Sequence, residues 1–259
     1  MRRSVLAIGI SMLVAFFYFS CGGGGDSDGG SVGNLQGVWF GVIEDENGKL
    51  EEFNLQVDGS GNIVEVKIEG VITGDTGLIN EDWDENLFHV IFDFNPGISS
   101  PLGGGIMIVD DSYLHATYGD SADGLGFFIG VLEKGATSLP AFAASDIVGN
   151  YTVGGAYEFI DSSGTWNWEG DFISMTVNPD LTFSGTSPDG PFSGGFNAPL
   201  DLPDFGRYTG TLTRNIIPPM ILDITALISP DKTYVAAYAR EILITPTSLD
   251  DILLIGMMK

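Results

Sequence analysis

The chain has 259 residues, 35 of them acidic and 10 basic, for a formal net charge of −25. That balance excludes a nucleic-acid binder, which needs a basic surface to hold phosphate. A 44% hydrophobic content excludes a disordered chain, one cysteine excludes an internal disulfide, and two histidines leave little for a zinc site.

In chain order, residues 1–20 read as a targeting segment. Arg2 and Arg3 supply the positive start. Val5 to Phe19 is apolar and uncharged, and it is shorter than the ~20 residues a spanning helix needs. The single cysteine follows at once, behind the small residue Ser20. Residues 21–34, rich in Gly, Ser and Asp, offer little to pack and read as a flexible tether. Two Gly-x-Ser-x-Gly matches fall in or beside it, at Gly25 and Gly29. Neither has the strand and helix that a nucleophile elbow requires, so both are chance.

The Ser20-Cys21 junction behind this run resembles the lipobox of bacterial lipoproteins. The resemblance implies that a dedicated peptidase cuts before Cys21, that its thiol is diacylated, and that the new amino terminus is acylated as well. The family prefers Leu three places before the cysteine, where this chain has Tyr18. Gly22 stands where an Asp would mark inner-membrane retention, so the implied address is the outer membrane, on its periplasmic side or at the cell surface. An ordinary signal peptide or an uncleaved anchor are the other readings of the same residues. Several acyl chains hold a membrane far better than one, at ~0.8 kcal/mol per buried methylene.

From Leu35 onward, period-two alternation replaces any amphipathic helix. Val64, Val66 and Ile68 alternate with Glu65, Lys67 and Glu69; Phe88, Val90, Phe92 and Phe94 alternate with His89, Ile91 and Asp93. Turn signals such as Asp58-Gly59-Ser60-Gly61, Asn178-Pro179-Asp180 and Ser229-Pro230-Asp231 separate the runs. The fold class expected is all-β. Internal matches point to duplication. Leu35-x-Gly37-x-Trp39 pairs with Ile147-x-Gly149-x-Tyr151, and Phe53-x-Leu55-x-Val57 with Ile173-x-Met175-x-Val177. Asp111-x-x-Leu114 pairs with Asp231-x-x-Tyr234, and Ile129 to Leu132 with Ile255 to Met258. Two tandem antiparallel β-barrel-like repeats are therefore expected, at 35–135 and 147–259, joined by a linker at 136–146. A single merged β body ranks second and a membrane-spanning barrel third.

Gly37-Val-Trp39 resembles the Gly-x-Trp signature that opens the first strand of calycin barrels, the lipocalins and avidins. The resemblance implies lipocalin-like meanders with the tryptophan packed across one barrel end.

Chemistry-bearing residues are few. His89 and His115 fall on the strand face opposite the more apolar one, His115 with Tyr113 and Thr117, and read as solvent-facing. The acidic loop holding Asp82, Asp84 and Glu85 has the oxygen donors calcium prefers, but no cluster fits an EF-hand, and charged loops at hairpin ends also serve solubility. Candidate ligand-binding residues are aromatic: Trp39, Phe88, Phe92 and Tyr118 in the first repeat, Trp166 and Trp168 in the second. No catalytic residue, resident metal or cofactor is expected. The expected role is a non-enzymatic, lipid-anchored envelope protein, binding or structural, with the membrane and a small apolar ligand or a partner protein as its contacts. A periplasmic hydrolase with a carboxylate site is the alternative.

Overall fold

A computed structural model describes residues 35–44, 48–74, 76–81, 87–93, 102–110, 112–119, 127–160, 165–168, 173–187, 190–197, 204–214, 219–241 and 252–259. The leader, Cys21, the tether and the Asp82, Asp84 and Glu85 loop lie outside them.

The first sheet holds β1 (Gly37–Glu44), β2 (Leu50–Val57), β3 (Asn62–Ile68), β4 (Val71–Ile72), β5 (Thr76–Glu81), β6 (Leu87–Asp93), β7 (Leu102–Asp110), β8 (Tyr113–Gly119) and β9 (Phe127–Lys134). Neighbours in sequence pair antiparallel, except that β3 pairs with both β4 and β5. β1 pairs with β9 as well as β2, so pairing runs unbroken around eight strands with β4 as an outlying hairpin arm.

The second sheet repeats the plan. It holds β10 (Gly149–Ile160), β11 (Thr165–Trp168), β12 (Ile173–Val177), β13 (Thr182–Ser187), β14 (Gly190–Phe196), β15 (Arg207–Arg214), β16 (Met220–Ile228), β17 (Tyr234–Glu241) and β18 (Ile252–Met258). β10 pairs with β12 and β18 and closes a second circuit of eight, with β11 lying along the remainder of one β10 edge. The all-β class and the tandem barrel architecture are thus present. Each barrel is a meander, the connection that short turns allow between antiparallel neighbours.

The turns repeat as well. Asp58 accepts backbone N–H groups from Ser60 at 2.8 Å and Asn62 at 2.9 Å and so shapes the β2–β3 turn. In the β12–β13 turn Asn178 and Thr182 pair likewise, and Asp180 accepts from the Thr182 hydroxyl at 2.7 Å. Gly61 (φ 81°) and Leu181 (φ 66°) occupy the same left-handed position of the two turns. Leucine there holds a conformation that costs of order 1 kcal/mol.

Inward positions are apolar. Trp39, Leu55, Val57, Ile63, Val66, Leu114 and Leu132 fill one end of the first barrel. Tyr151, Met175, Val177, Phe183, Phe196, Tyr208 and Ile224 pack in the second. Outward positions of the second barrel are polar and exposed, among them Ser174, Thr176, Ser184, Thr186, Thr209 and Thr211. Apolar inside and polar outside is the reverse of a membrane-spanning barrel. Among the described residues no helix is long and apolar enough to cross a membrane.

One expected face is corrected. Val64 is exposed, whereas Ile63 and Val66 are both buried. A register shift sets Ile63 opposite Val57 but Glu65 opposite Gln56. This bulge inserts one residue and resets the alternation, leaving Val64 outside.

The barrels mate through their outer surfaces. Val42, Tyr113, Ile129 and Val131 of the first meet Leu227, Tyr234 and Ala236 of the second in one buried cluster. Arg207 donates from Nη1 to the Gly48 carbonyl at 3.0 Å and stands 3.3 Å from Glu44 Oε1, tying the β1–β2 turn to β15.

Candidate functional site

A cluster of polar groups with displaced titration sits where the barrels meet. The β16–β17 turn, Ser229 to Thr233, is closed by Ser229 N–H donating to the Tyr234 carbonyl at 2.8 Å. Lys232 takes φ 66° there. The turn aims Asp231 at the first barrel. Its Oδ1 accepts from the Ser229 hydroxyl at 2.6 Å and the Thr233 N–H at 3.0 Å. Its Oδ2 accepts from the Thr233 hydroxyl at 2.7 Å and from the Tyr113 hydroxyl across the seam. The Asp231 N–H donates in turn to Glu133 Oε2 at 2.8 Å.

These contacts set the charges. Burial pushes the Asp231 carboxyl up, but bonds from Ser229, Tyr113 and Thr233 outweigh it and hold it below its usual value. Glu133 is raised, chiefly by burial, with the Asp231 N–H pulling the other way. The Tyr113 hydroxyl is raised by burial and by Asp231.

Beside this cluster lies His115, and here the expected solvent-facing position is overturned. The ring is fully buried, because the outer strand face it shares with Tyr113 is covered by the second barrel. Neither nitrogen finds a hydrogen-bond partner among the described residues. Burial depresses its pKa to about 3, so the imidazole is neutral and shut away from solvent.

Each barrel carries a matching plug at one end. Trp39 Nε1 donates to the Leu35 carbonyl at 2.8 Å, and the Lys134 ammonium lies 5.4 Å from the indole. The Tyr151 hydroxyl donates to the Ile147 carbonyl at 2.6 Å, and the Lys259 ammonium lies 5.9 Å from that ring. Each lysine stem passes over the glycine two residues before the aromatic, Gly37 or Gly149. The connection between barrels is pinned to the second. Lys232 reaches the Ala141 carbonyl at 2.9 Å and Asp146 Oδ2 at 2.8 Å. Tyr208 donates to the Ala143 carbonyl at 2.7 Å, and Lys259 to the Asp146 carbonyl at 2.6 Å.

Of the aromatic candidates, Trp39 is sealed in the first core with its N–H spent on the backbone. Phe88 and Phe92 lie on β6, opposite Ile106 and Leu102 of β7. Tyr118 lies on β8 opposite Phe128. Trp166 and Trp168 lie on β11, opposite Phe159 and Tyr157. The seam residues Tyr113, Glu133, Arg207 and Asp231 carried no sequence signal as a group. Tyr113 and Asp231 stand 118 positions apart, and only the Ser-Pro-Asp turn hinted at a structured loop.

The register also corrects two of the repeat matches. Leu114 faces Leu132 across β8 and β9, and Val235 faces Met257 across β17 and β18. Tyr113 faces Glu133, and Tyr234 faces Met258, each just before the plug lysine. Tyr234 is therefore the counterpart of Tyr113, not of Leu114, and Met257 that of Leu132. A one-residue slip moves a side chain to the opposite sheet face.

No protein-family model matches the chain, and no curated protein matches it by sequence. Solved structures do align. A protein of unknown function of the DUF3598 family from Nostoc punctiforme is 12% identical over 87% of this chain and 96% of that one, with TM-score 0.41. Transferrin binding protein B from serogroup B Neisseria meningitidis is 11% identical over 85% of this chain, with TM-score 0.43. A variant of transferrin binding protein B from Haemophilus parasuis is 10% identical over 80% of this chain, with TM-score 0.32. This chain spans 43% and 65% of those two proteins.

Proposed function

We propose that this chain is a lipid-anchored protein of the bacterial cell envelope, in the outer membrane, with a binding or structural role and no catalytic one. The observation that carries the non-catalytic part is how Asp231 is used. Both of its oxygens accept two hydrogen bonds from the protein itself. A carboxylate so occupied has little left for a substrate. The neighbouring pair Asp231 and Glu133, displaced in opposite directions, is the pattern that favours the hydrolase alternative. Against it, Glu133 also turns an oxygen to the turn backbone. The buried, uncharged His115 supplies no accessible base.

The anchor rests on Arg2, Arg3, the apolar run to Phe19 and Ser20-Cys21, with the tether giving the barrels reach from the bilayer. The tandem repeats at 35–135 and 147–259 then act as one tethered pair that holds a partner protein or a small apolar ligand. Mass spectrometry of the protein from its native membrane tests the anchor. A cut before Cys21 with acyl chains on that residue is expected; a free thiol or an uncut leader would overturn it. Cys21→Ala is expected to leave the membrane fraction.

A further inference from the structure

The barrels can part without either one opening. Among the described residues no strand of the first sheet is hydrogen-bonded to a strand of the second. The buried cluster of the seam, Val42, Tyr113, Ile129, Val131, Leu227, Tyr234 and Ala236, shares no member with the buried cores of the two barrels. Polar bonds across it gather at two places. Tyr113 meets Asp231 and the Thr233 hydroxyl at 2.6 Å, with Glu133 taking the Asp231 N–H, and Arg207 reaches the Gly48 carbonyl and Glu44.

The connection between the barrels has the layout of a hinge. The Gly135 N–H donates to the Val38 carbonyl at 2.8 Å, which ties the start of the connection to the first barrel. Leu139 packs on the core of the second barrel, Phe142 is buried in it, and the Ala141 carbonyl accepts from Lys232. Ala136, Thr137 and Ser138 lie between these two attachments, the last two exposed. Gly135 takes φ 80°, and nothing lies within 4 Å of where its Cβ would stand. Three residues reach ~10 Å, enough for one barrel to swing on the other.

His115 is placed to drive that swing. It stands opposite seam residue Val131 on β9 and opposite Met107 on β7, fully buried, with neither nitrogen bonded among the described residues. The titratable and charged groups of the elements packed there leave it alone. Tyr113 and Glu133 of β8 and β9 are engaged with Asp231 of the β16–β17 turn. Glu44 of β1 is paired with Arg207 of β15. Tyr234 stacks on Tyr113, and Tyr238 packs against the seam further along β17, before Arg240 opposite Asp223. Asp110 of β7 is opposite Tyr113. Burial is the sole cause that holds the ring neutral. A proton on it gains no acceptor in the closed seam, whereas water supplies one when the seam opens.

We infer that the seam is an acid-released latch: protonation of His115 swings the two barrels apart about residues 136–138 while each barrel stays folded. Opening bares the apolar seam faces, Val42, Ile129 and Val131 on one barrel and Leu227 and Ala236 on the other. A ring pKa of about 3 when closed and 6.5 in water shifts the opening equilibrium roughly thirtyfold between pH 7.5 and 5. Hydroxyl-radical footprinting of the full chain, read by mass spectrometry, tests this. Tyr234 is buried in the seam, and Trp39 and Tyr151 are buried in the plugs. From pH 7.5 to 5, oxidation of Tyr234 is expected to rise, by up to about thirtyfold, while Trp39 and Tyr151 hold their levels. His115→Leu and His115→Met, two neutral replacements, are expected to keep Tyr234 protected at pH 5. Glu133→Gln is expected to open as wild type does, which separates the ring from the nearby carboxylate. In the unaltered chain the His115 ring, followed by NMR, is expected to titrate over the pH range in which Tyr234 becomes oxidised. A flat Tyr234 signal, a joint rise of Tyr234 and the plugs, opening that survives the His115 replacements or vanishes in Glu133→Gln, or a ring that titrates outside the opening range overturns the inference.

Discussion

Tyr113 stacks on Tyr234 with ring centroids 5.2 Å apart and planes 18° from parallel. The two residues hold the same place in the two repeats, so the barrels join by a position meeting its own counterpart. The ring faces stack while the Tyr113 hydroxyl reaches Asp231. Removing the ring with Tyr113→Ala is expected to cost about 3–5 kcal/mol, as for other large aromatic truncations. Tyr113→Phe and Asp231→Asn should each cost about 1 kcal/mol, since the bond lies at the rim of the seam. The double variant should cost less than their sum. Urea unfolding of the four proteins measures the coupling.

His115 makes stability depend on pH with a definite sign. Its folded pKa of about 3 lies below its ordinary value of 6.5. The unfolded chain therefore binds the proton first as pH falls. The stability this neutral ring permits is fully present above pH 6.5 and is lost progressively between 6.5 and about 3. At pH 5 the loss is roughly 2 kcal/mol. His115→Leu should remove that component, which urea midpoints at pH 7.5 and 5 would reveal as a smaller drop than in wild type.

The matching plugs should respond alike. Trp39→Phe and Tyr151→Phe each delete one donor to a backbone carbonyl four residues earlier. Each leaves a buried acceptor without its partner, at a cost of ~1–3 kcal/mol. Thermal unfolding of both variants checks the prediction. A loss confined to one barrel would show that the plugs are not equivalent.

Gly41 has no room to grow. A Cβ there would stand 1.8 Å from the Val131 carbonyl oxygen, in the β1–β9 contact that closes the first ring. Gly41→Ala should cost ~3 kcal/mol or more by forcing the strands apart. Gly70, which has nothing within 4 Å of such a Cβ, would feel only its left-handed backbone. Gly70→Ala should cost about 1 kcal/mol. Comparing the two by chemical denaturation separates crowding from conformation.

Much of the architecture was legible because alternation and turn chemistry are local. Leu55, Val57, Met175 and Val177 are buried as the repeat match implies, and the turns at Asp58 and Asn178 form where expected. Alternation misread Val64, because a bulge leaves no mark in a run of β-branched residues. It misread His115 for another reason. Periodicity says which residues share a face, but not that a second barrel covers the outer one. Tyr113 and Asp231 meet only through that covering, which no local pattern in the sequence encodes. Leu114 aligns with Tyr234 by sequence alone because a slip of one residue between the repeats leaves no local mark, yet it moves a side chain to the opposite sheet face.

Each ring is sealed by its own opening and final strands, β1 with β9 and β10 with β18. Neither circuit can shut before its last strand has arrived, so the decisive contacts span nearly a whole repeat. Such long-range closure slows folding. During that wait the unsealed edges of β1 and β10 are open to pairing with strangers. The chain's hazard is therefore concentrated in the interval before closure, and a quality-control factor serving it would have to shield strand edges rather than an exposed core.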